Sequence, residues 1–205
     1  MSQSTDDPIR IITDDKTHFP MIEIENMCFL TLWPITKIQF EIFMSEVNQY
    51  GDKWYDELLS CNPRISYNQA NKDNYEQLFI TGVHIKETLP FSKWFGEEFR
   101  IPTVKEWRNA YKIVSNLSDF KKPLDLSYPA NEIWKKVSKF SKHPIEISMM
   151  QKGLIEWVKD GKKDVGIGAP KSTTLNPHSD LVEILNRNER LKDLGFRLIK
   201  GGDYE

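Results

Sequence analysis

The sequence predicts an α+β fold, because short strand patterns and separate amphipathic helices occur without regular βαβ alternation. Ile22 and Ile24 alternate with glutamates in a half-buried strand pattern near the start. Phe196 lies in a second strand pattern near the end. Several apolar faces at helical period lie between them, and polar loops rich in Pro and Gly separate the elements.

The length and composition favour a single domain with a substantial core. The chain has 205 residues, of which 39% are hydrophobic and 12% aromatic. No Pro-, Ser- or Gly-rich linker divides it, so we expect one domain over 8–205 after a disordered, polar segment at 1–7. With a net charge of -2, global electrostatics give no reason to expect binding to nucleic acid or to an anionic membrane.

Sequence patterns near the N-terminus predict a cytoplasmic protein without a membrane span. The first residues are polar and lack the apolar segment of a signal peptide, and no window approaches ~18 consecutive apolar residues. The two cysteines, Cys28 and Cys61, are too few for a disulfide scaffold, and neither lies in a metal-binding spacing. We expect both to be free thiols.

The first third predicts three strands followed by a capped helix. The strands lie around Ile9 and Ile11, at 22–25 and at 27–33. Thr36 is a natural N-cap, and Gln39 three residues later completes a capping box. The buried face of this helix would comprise Phe40, Phe43, Met44 and Val47, with Gly51 as its stop.

The middle of the chain predicts further helices around a long polar loop. A short helix holds Trp54 and Leu58 and ends before Pro63, and residues 62–77 read as a surface loop. A helix over 85–95 contains Pro90, which should kink or shorten it, and Gly96 ends it.

The clearest helix start is Arg100-Ile101-Pro102-Thr103, with Thr103 as N-cap and Glu106 completing the box. Trp107, Ala110, Tyr111 and Val114 follow on one apolar face, to about Ser115. The pattern predicts a loop over residues 116–129 and a helix over 130–140, whose lysines lie on its solvent-facing side. Residues 161–178 read as loop, residues 181–191 show a partial helical period, and Gly195 to Ile199 reads as a last strand.

Five ordered stretches resemble the motifs of the formylglycine-generating enzyme family, also called sulfatase-modifying factors. The stretch Arg100 to Ala110 resembles the family's Arg-Leu-Pro-Thr-Glu-Ala-Glu-Trp-Glu-x-Ala signature. The others resemble its Pro-Val-Thr-Asn-x-Gln-Phe, Gly-Val-Ser-Trp, Gly-Asn-Val-Trp-Glu-Trp-Val and Gly-Phe-Arg motifs; they lie at 34–43, 82–94, 153–160 and 195–198.

The resemblance implies a fold related to C-type lectins, with twisted antiparallel strands, a few capped helices and long loops. It also implies a set of structural motif residues: Thr36, Arg100, Pro102, Thr103, Glu106, Trp107, Glu156, Trp157, Gly195, Phe196 and Arg197. Glu156 is a candidate ion-pair partner for Arg100 or Arg197 in the core.

Family members that oxidise cysteine bind copper through a cysteine pair shortly before the Gly-Phe-Arg strand. Residues 161–194 contain no cysteine, so we expect neither copper nor another cofactor, and no catalytic residue. A second branch resembles iron-dependent sulfoxide synthases. The four histidines, His18, His84, His143 and His178, show no local ligand spacing.

We therefore expect a non-catalytic member that binds another protein, as an adaptor or accessory subunit of a larger bacterial assembly. Two alternatives stay open: a divergent metal-dependent enzyme, and a receptor that binds ligands through lectin-like loops. The candidate binding residues lie in the 62–77 loop and in the segment 171–190. They are Tyr67, Asn71, Tyr75, Asn176, His178, Asn186, Arg187 and Arg190.

Overall fold

The fold confirms the predicted α+β class. The computed structural model describes residues 10–25, 27–48, 50–120, 126–150, 153–170, 174–183 and 190–202. Within these ranges the chain forms two β-sheets, six α-helices and one 3-10 helix. No helix in the described ranges is long and apolar enough to cross a membrane. The segment 1–7 lies outside the described residues, so its predicted disorder and the domain boundary stay predictions.

The larger sheet is antiparallel and joins the two ends of the described chain. Its strands, in spatial order, are β1 Ile11–Thr13, β2 Pro20–Glu25, β3 Cys28–Thr31, β8 Ile199–Lys200 and β4 Phe99–Arg100. Strand β8 inserts between β3 and β4, where Ile199 pairs with Leu30 on one side and with Arg100 on the other. The predicted N-terminal strands are therefore present, and the C-terminal strand completes their sheet.

The smaller sheet contains a strand that the sequence analysis missed. Its spatial order is β6 Lys163–Gly168, β5 Ile155–Asp160 and β7 Leu194–Gly195. The predicted loop over 161–178 is wrong for 163–168, which pairs with β5 along its whole length. Val165 and Ile167 alternate with glycines, and a side chain at Gly168 would collide with the carbonyl of Leu154. Gly168 therefore permits close strand packing instead of a turn.

The predicted continuous strand from Gly195 to Ile199 is also wrong. Strands β7 and β8 belong to different sheets, and three residues cross between them. The crossing backbone is held by two hydrogen bonds, from Ile35 N–H to the Phe196 carbonyl and from Thr31 N–H to the Leu198 carbonyl, each 2.9 Å long. The Gly-Phe-Arg stretch is thus the connection between the sheets.

The helices agree with most of the predicted bounds. They are α1 Lys37–Val47, α2 Asp52–Cys61, α3 Ile85–Phe95, α4 Val104–Ser115, α5 Ala130–Phe140 and α6 Pro144–Ile147. Both capping boxes are confirmed: the N–H of Gln39 donates to Thr36 Oγ1 and the N–H of Glu106 to Thr103 Oγ1, each at 3.2 Å. Pro90 does not shorten α3, which continues to Phe95 and ends at Gly96.

The prediction that Gly51 stops α1 is wrong. Helix α1 ends at Asn48, whose φ of 47° is the left-handed conformation of many helix C-termini, and Gly51 is instead the N-cap of α2. Asparagine tolerates this conformation better than most residues, so it replaces the expected glycine.

Two groups of buried apolar side chains fill the structure. The first is rich in aromatic rings, with Phe40 stacked on Phe91 at 5.1 Å between ring centroids and Phe196 edge-on to Phe91 at 5.4 Å. The second contains Trp107 of α4 and Val158 of β5. Because Phe196 enters the first group, the connection between the sheets is itself part of the core.

Candidate binding face and its buried charges

The motif residues Arg197 and Glu156 form a fully buried ion pair at the centre of the structure. Arg197 is 1% exposed and Glu156 is 0% exposed. Arg197 donates to the two carboxylate oxygens at 2.5 and 2.6 Å, and to three carbonyls at 2.9–3.1 Å, those of Thr31, Leu32 and Ser148. These bonds use all five N–H donors of a guanidinium. Of the two predicted partners for Glu156, the structure therefore selects Arg197.

Arg100 of β4 is held by the capping box of helix α4. Its guanidinium donates to both oxygens of Glu106 at 2.6 and 2.8 Å, and Glu106 also accepts the Thr103 N–H at 2.7 Å. Burial acts to raise the pKa of Glu106, but the bonds from Arg100 and Thr103 together hold it below its ordinary value. The carboxylate thus stays ionised and ties β4 to α4.

The other motif residues also have structural partners. The indole N–H of Trp107 donates to Glu156 at 3.1 Å, and that of Trp157 donates to the Val83 carbonyl at 2.7 Å. The Pro102 carbonyl accepts the backbone N–H of Lys159 at 2.9 Å. At Gly195 an added Cβ would lie 2.7 Å from the Ile80 carbonyl oxygen, so a larger residue does not fit. These contacts assign the motif to structural support.

Arg190, a predicted binding residue, lies in a second internal charge network. Its side chain is 13% exposed and donates to both oxygens of Glu87 at 2.9 Å and to the Gly82 carbonyl at 2.7 Å. The indole of Trp54 also donates to Glu87 at 2.7 Å, and the guanidinium lies over its ring. Arg190 is therefore mostly buried, and Glu87 and the Gly82 carbonyl engage its terminal N–H groups.

The two cysteines are free and separate in the structure. Burial raises the pKa of the Cys28 thiol to about 11, and nearby Glu106 acts in the same direction. Cys61 donates to the Arg190 carbonyl at 3.8 Å. Within the described ranges no group of three His, Cys, Asp or Glu side chains is arranged to hold a metal ion.

The 62–77 loop is more ordered and more buried than the sequence predicts. Asn71 is exposed and shapes a turn, since its Oδ1 accepts the Asp73 N–H at 2.8 Å. Tyr75 is buried in the 3-10 helix Tyr75–Leu78, with its ring 5.6 Å from that of Phe140. The expected exposure of Tyr75 is therefore wrong, because its side chain packs in the apolar interior. Tyr67 is half-buried.

The segment after β6 presents two of its predicted binding residues to solvent. Asn176 and His178 are exposed, and the His178 ring lies edge-on to Tyr111 at 4.7 Å between centroids. Paired hydrogen bonds of 2.8 Å between Gly166 and Val182 fix the segment to β6. The remaining candidates of this segment, Asn186 and Arg187, lie outside the described residues.

Lys37, which the sequence analysis did not select, anchors the 62–77 loop. A lysine in the first turn of a helix is usually exposed, yet Lys37 is 4% exposed. Its Nζ donates to the Pro63 carbonyl at 2.9 Å and to the Gln77 carbonyl at 2.5 Å, which joins both ends of the loop to α1. Burial lowers the pKa of Lys37 to about 7. No sequence pattern distinguishes this lysine from an exposed one, since its burial depends on the loop.

A small cavity of about 140 Å³ lies beside Lys37, with Arg64, Tyr67 and Gln77 among the residues that line it. Ile38 also lines it, and Ile42, one helical turn further along α1, is 37% exposed. Tyr128 is 61% exposed. It lies close enough to Tyr67 to act with burial in raising the Tyr67 pKa. We call the surface formed by Ile38, Ile42, Arg64, Tyr67 and Tyr128 the tyrosine face.

Comparisons with known proteins show a weak likeness to a solved structure. No protein-family model matches the sequence, and no curated protein is similar to it in sequence. The solved structure of CarF superposes with a TM-score of 0.48 at 13% sequence identity, over 90% of this chain and 87% of CarF.

Proposed function

We propose that this protein is a non-catalytic, protein-binding module of the formylglycine-generating-enzyme type. In this proposal it serves as an adaptor or accessory subunit of a larger bacterial assembly, and the tyrosine face is its interface. The observation that carries the proposal is a small cavity lined by the half-buried Tyr67 and by Arg64, with the exposed Tyr128 close enough to Tyr67 to influence its pKa.

The composition of the tyrosine face supports protein recognition. Tyrosine and arginine are enriched among the residues that dominate binding energy at protein interfaces, and such residues surround pockets that receive a partner side chain. The rigid loop adds to this, because Lys37 and Asn71 hold it in place before binding. A preorganised loop loses less conformational entropy on association.

The size of the cavity favours one partner side chain over a free metabolite of ordinary size. Ligand pockets usually enclose about 300–1,000 Å³. The cavity beside Lys37 has about 140 Å³. A volume near 150 Å³ accommodates a single benzene ring. The cavity therefore suits an anchor residue inserted from a protein surface.

The resemblance to formylglycine-generating enzymes supports the fold type and the absence of cysteine oxidation. The residues that match the family motifs take part in packing, capping and buried ion pairs. Residues 161–194 contain no cysteine, and burial keeps the Cys28 thiol protonated at neutral pH.

Affinity capture from the native host tests the proposal. The wild-type protein is compared with Ile42→Ser/Tyr128→Ser, which removes two exposed side chains of the tyrosine face. Met27→Ser/Leu89→Ser is the matched control, because Met27 and Leu89 are also exposed apolar residues, at 68% and 59%. We expect a stoichiometric partner that the wild type and the control retain and the tyrosine-face variant loses. Recovery of every form alone as a monomer contradicts the proposal.

Metal content after anaerobic purification tests the alternative of a divergent metalloenzyme. Stoichiometric iron or copper in the purified protein would refute the non-catalytic proposal. His84 and His178 would then be substituted singly, to identify which of them holds the metal.

A further inference from the structure

Lys37 and Tyr67 both line the cavity of the tyrosine face. The neutral form of a lysine amine has two N–H donors and one lone pair. The carbonyls of Pro63 and Gln77 accept two hydrogen bonds from Nζ, at 2.9 and 2.5 Å. Both donors of the neutral amine are therefore engaged, and its lone pair remains available to an electrophile.

We propose that Lys37 is a nucleophilic amine that captures a small aliphatic aldehyde as an imine in the cavity of the tyrosine face. This goes beyond protein binding and does not depend on it. The cavity, of about 140 Å³, accepts an aldehyde of a few carbon atoms. Ile38, Ile65 and Leu78 supply apolar lining for its alkyl part.

Burial favours the neutral form of the Lys37 amine near physiological pH. Burial lowers its pKa to about 7, and the Arg64 guanidinium acts in the same direction. Glu41 and Glu76 act in the opposite direction. Glu41 is itself engaged, since it accepts the Tyr55 hydroxyl at 2.5 Å and lies 3.2 Å from Arg64. Desolvation beside another cation is a recognised way to activate a lysine nucleophile.

The reaction needs no oxidant or reductant. The Nζ lone pair attacks the carbonyl carbon, a C–N bond forms, and the carbonyl oxygen becomes the hydroxyl of a carbinolamine. That hydroxyl leaves as water after it gains a proton, and the nitrogen loses its remaining proton to give C=N. Water supplies the proton, because the raised pKa of Tyr67 makes its phenol a weak acid; the neutral phenol, which lines the same cavity, instead donates a hydrogen bond that polarises the carbonyl.

Reductive trapping on the wild-type protein tests the proposal directly. The protein is incubated at pH 7 with butyraldehyde and sodium cyanoborohydride, and the N-butyl lysines are located by peptide mass spectrometry over time. The exposed Lys139 is the internal reference. A lysine of pKa near 7 has roughly a thousandfold more neutral amine at this pH than one of pKa about 10.4. Even with restricted access, we expect Lys37 to react at least about tenfold faster than Lys139.

The pH profile and two variants separate nucleophilic capture from simple exposure. The Lys37 rate should level off above about pH 8, while that of Lys139 continues to rise. Lys37→Met should remove the fast adduct, and Tyr67→Phe should slow it by roughly tenfold or more while keeping the ring. Trapping at Lys37 no faster than at Lys139, or a Lys37 rate that rises like that of Lys139, overturns the proposal.

The outcome is independent of the capture experiment on the tyrosine face. The mapping needs only the wild-type protein and an added aldehyde, whereas the adaptor proposal fails or stands on a stoichiometric protein partner. Ile42→Ser/Tyr128→Ser leaves Lys37 and Tyr67 in place, so this variant should lose the partner and still form the adduct.

Discussion

Arg197 and Lys37 are both buried cations, and the protein surrounds them in opposite ways. Arg197 meets a buried carboxylate and three carbonyls, and each of its N–H groups has an acceptor. Lys37 meets two neutral carbonyls, and Glu41, the carboxylate that influences its pKa most, accepts the Tyr55 hydroxyl and lies 3.2 Å from Arg64. A cavity lies beside Lys37.

The difference separates a structural charge from a reactive one. A buried cation with a full set of acceptors stays charged and fixes its surroundings, because any movement would leave polar groups unsatisfied. A buried amine without a bonded carboxylate gains from losing its proton. The first arrangement holds the two sheets together, and the second leaves an amine whose charge depends on pH.

The largest expected effect is a loss of stability when the structural cation, Arg197, is replaced. Arg197→Met leaves Glu156 buried without its cation, so we expect the unfolding free energy to fall by about 3–5 kcal/mol. Chemical denaturation followed by Trp fluorescence measures this. Arg197→Met/Glu156→Leu should recover part of the loss, since neither charge then remains buried. A single-variant loss below about 1 kcal/mol would show that the pair does not hold the sheets.

A smaller loss of unfolding free energy is expected at the partly buried pair of Arg190 and Glu87. Arg190→Met removes three charge-assisted bonds at the edge of the core and leaves Glu87 with the indole of Trp54 and the His84 N–H. We expect a loss of about 2–3 kcal/mol in the same denaturation assay. A loss as large as that of Arg197→Met would mean that burial depth does not set the cost.

The pH dependence of stability tests whether the Lys37 amine loses its proton in the folded protein. The pKa of Lys37 is about 7 in the folded state and about 10.4 in an unfolded chain. Between these values the unfolded chain binds a proton that the folded protein does not, so folding is favoured more as pH rises. From pH 7.5 to 8.5 the wild type should gain about 1 kcal/mol relative to Lys37→Met.

The Cys28 thiol does not affect this comparison of slopes. Cys28 has a raised pKa and acts in the opposite direction, because the unfolded thiol ionises first, but both proteins contain it and its effect cancels. Equal slopes for the wild type and Lys37→Met would mean that the amine stays charged in the fold, and would bring Lys37 to the same class as Arg197.

The smallest effect is expected at an exposed ion pair. Lys135 lies 2.7 Å from Glu132, and the two side chains are 57% and 38% exposed. Water solvates both charges well, so Lys135→Met should change the unfolding free energy by less than about 0.5 kcal/mol. A larger change in denaturation would contradict the rule that separates the buried cations from the surface lysines.

Local sequence patterns predicted the elements whose cause is local. The boxes at Thr36 and Thr103 were predictable because a cap depends on residues three apart in the chain. Strand β6 was missed because its glycines also suit loops, and only the neighbouring Leu154 shows that close packing requires a glycine at 168. The burial of Tyr75 and Arg190 likewise depends on α5 and α3, which are distant in sequence.

Sequence patterns alone predicted the α+β class, both capping boxes, most of the helix bounds and two possible arginine partners for Glu156. Tertiary structure decided that the partner is Arg197, that the Gly-Phe-Arg stretch crosses between two sheets, and that Lys37 is buried beside a cavity. The physical reason is that propensity and capping act within a few residues. Burial and the pairing of charges depend on side chains that only the folded chain brings together.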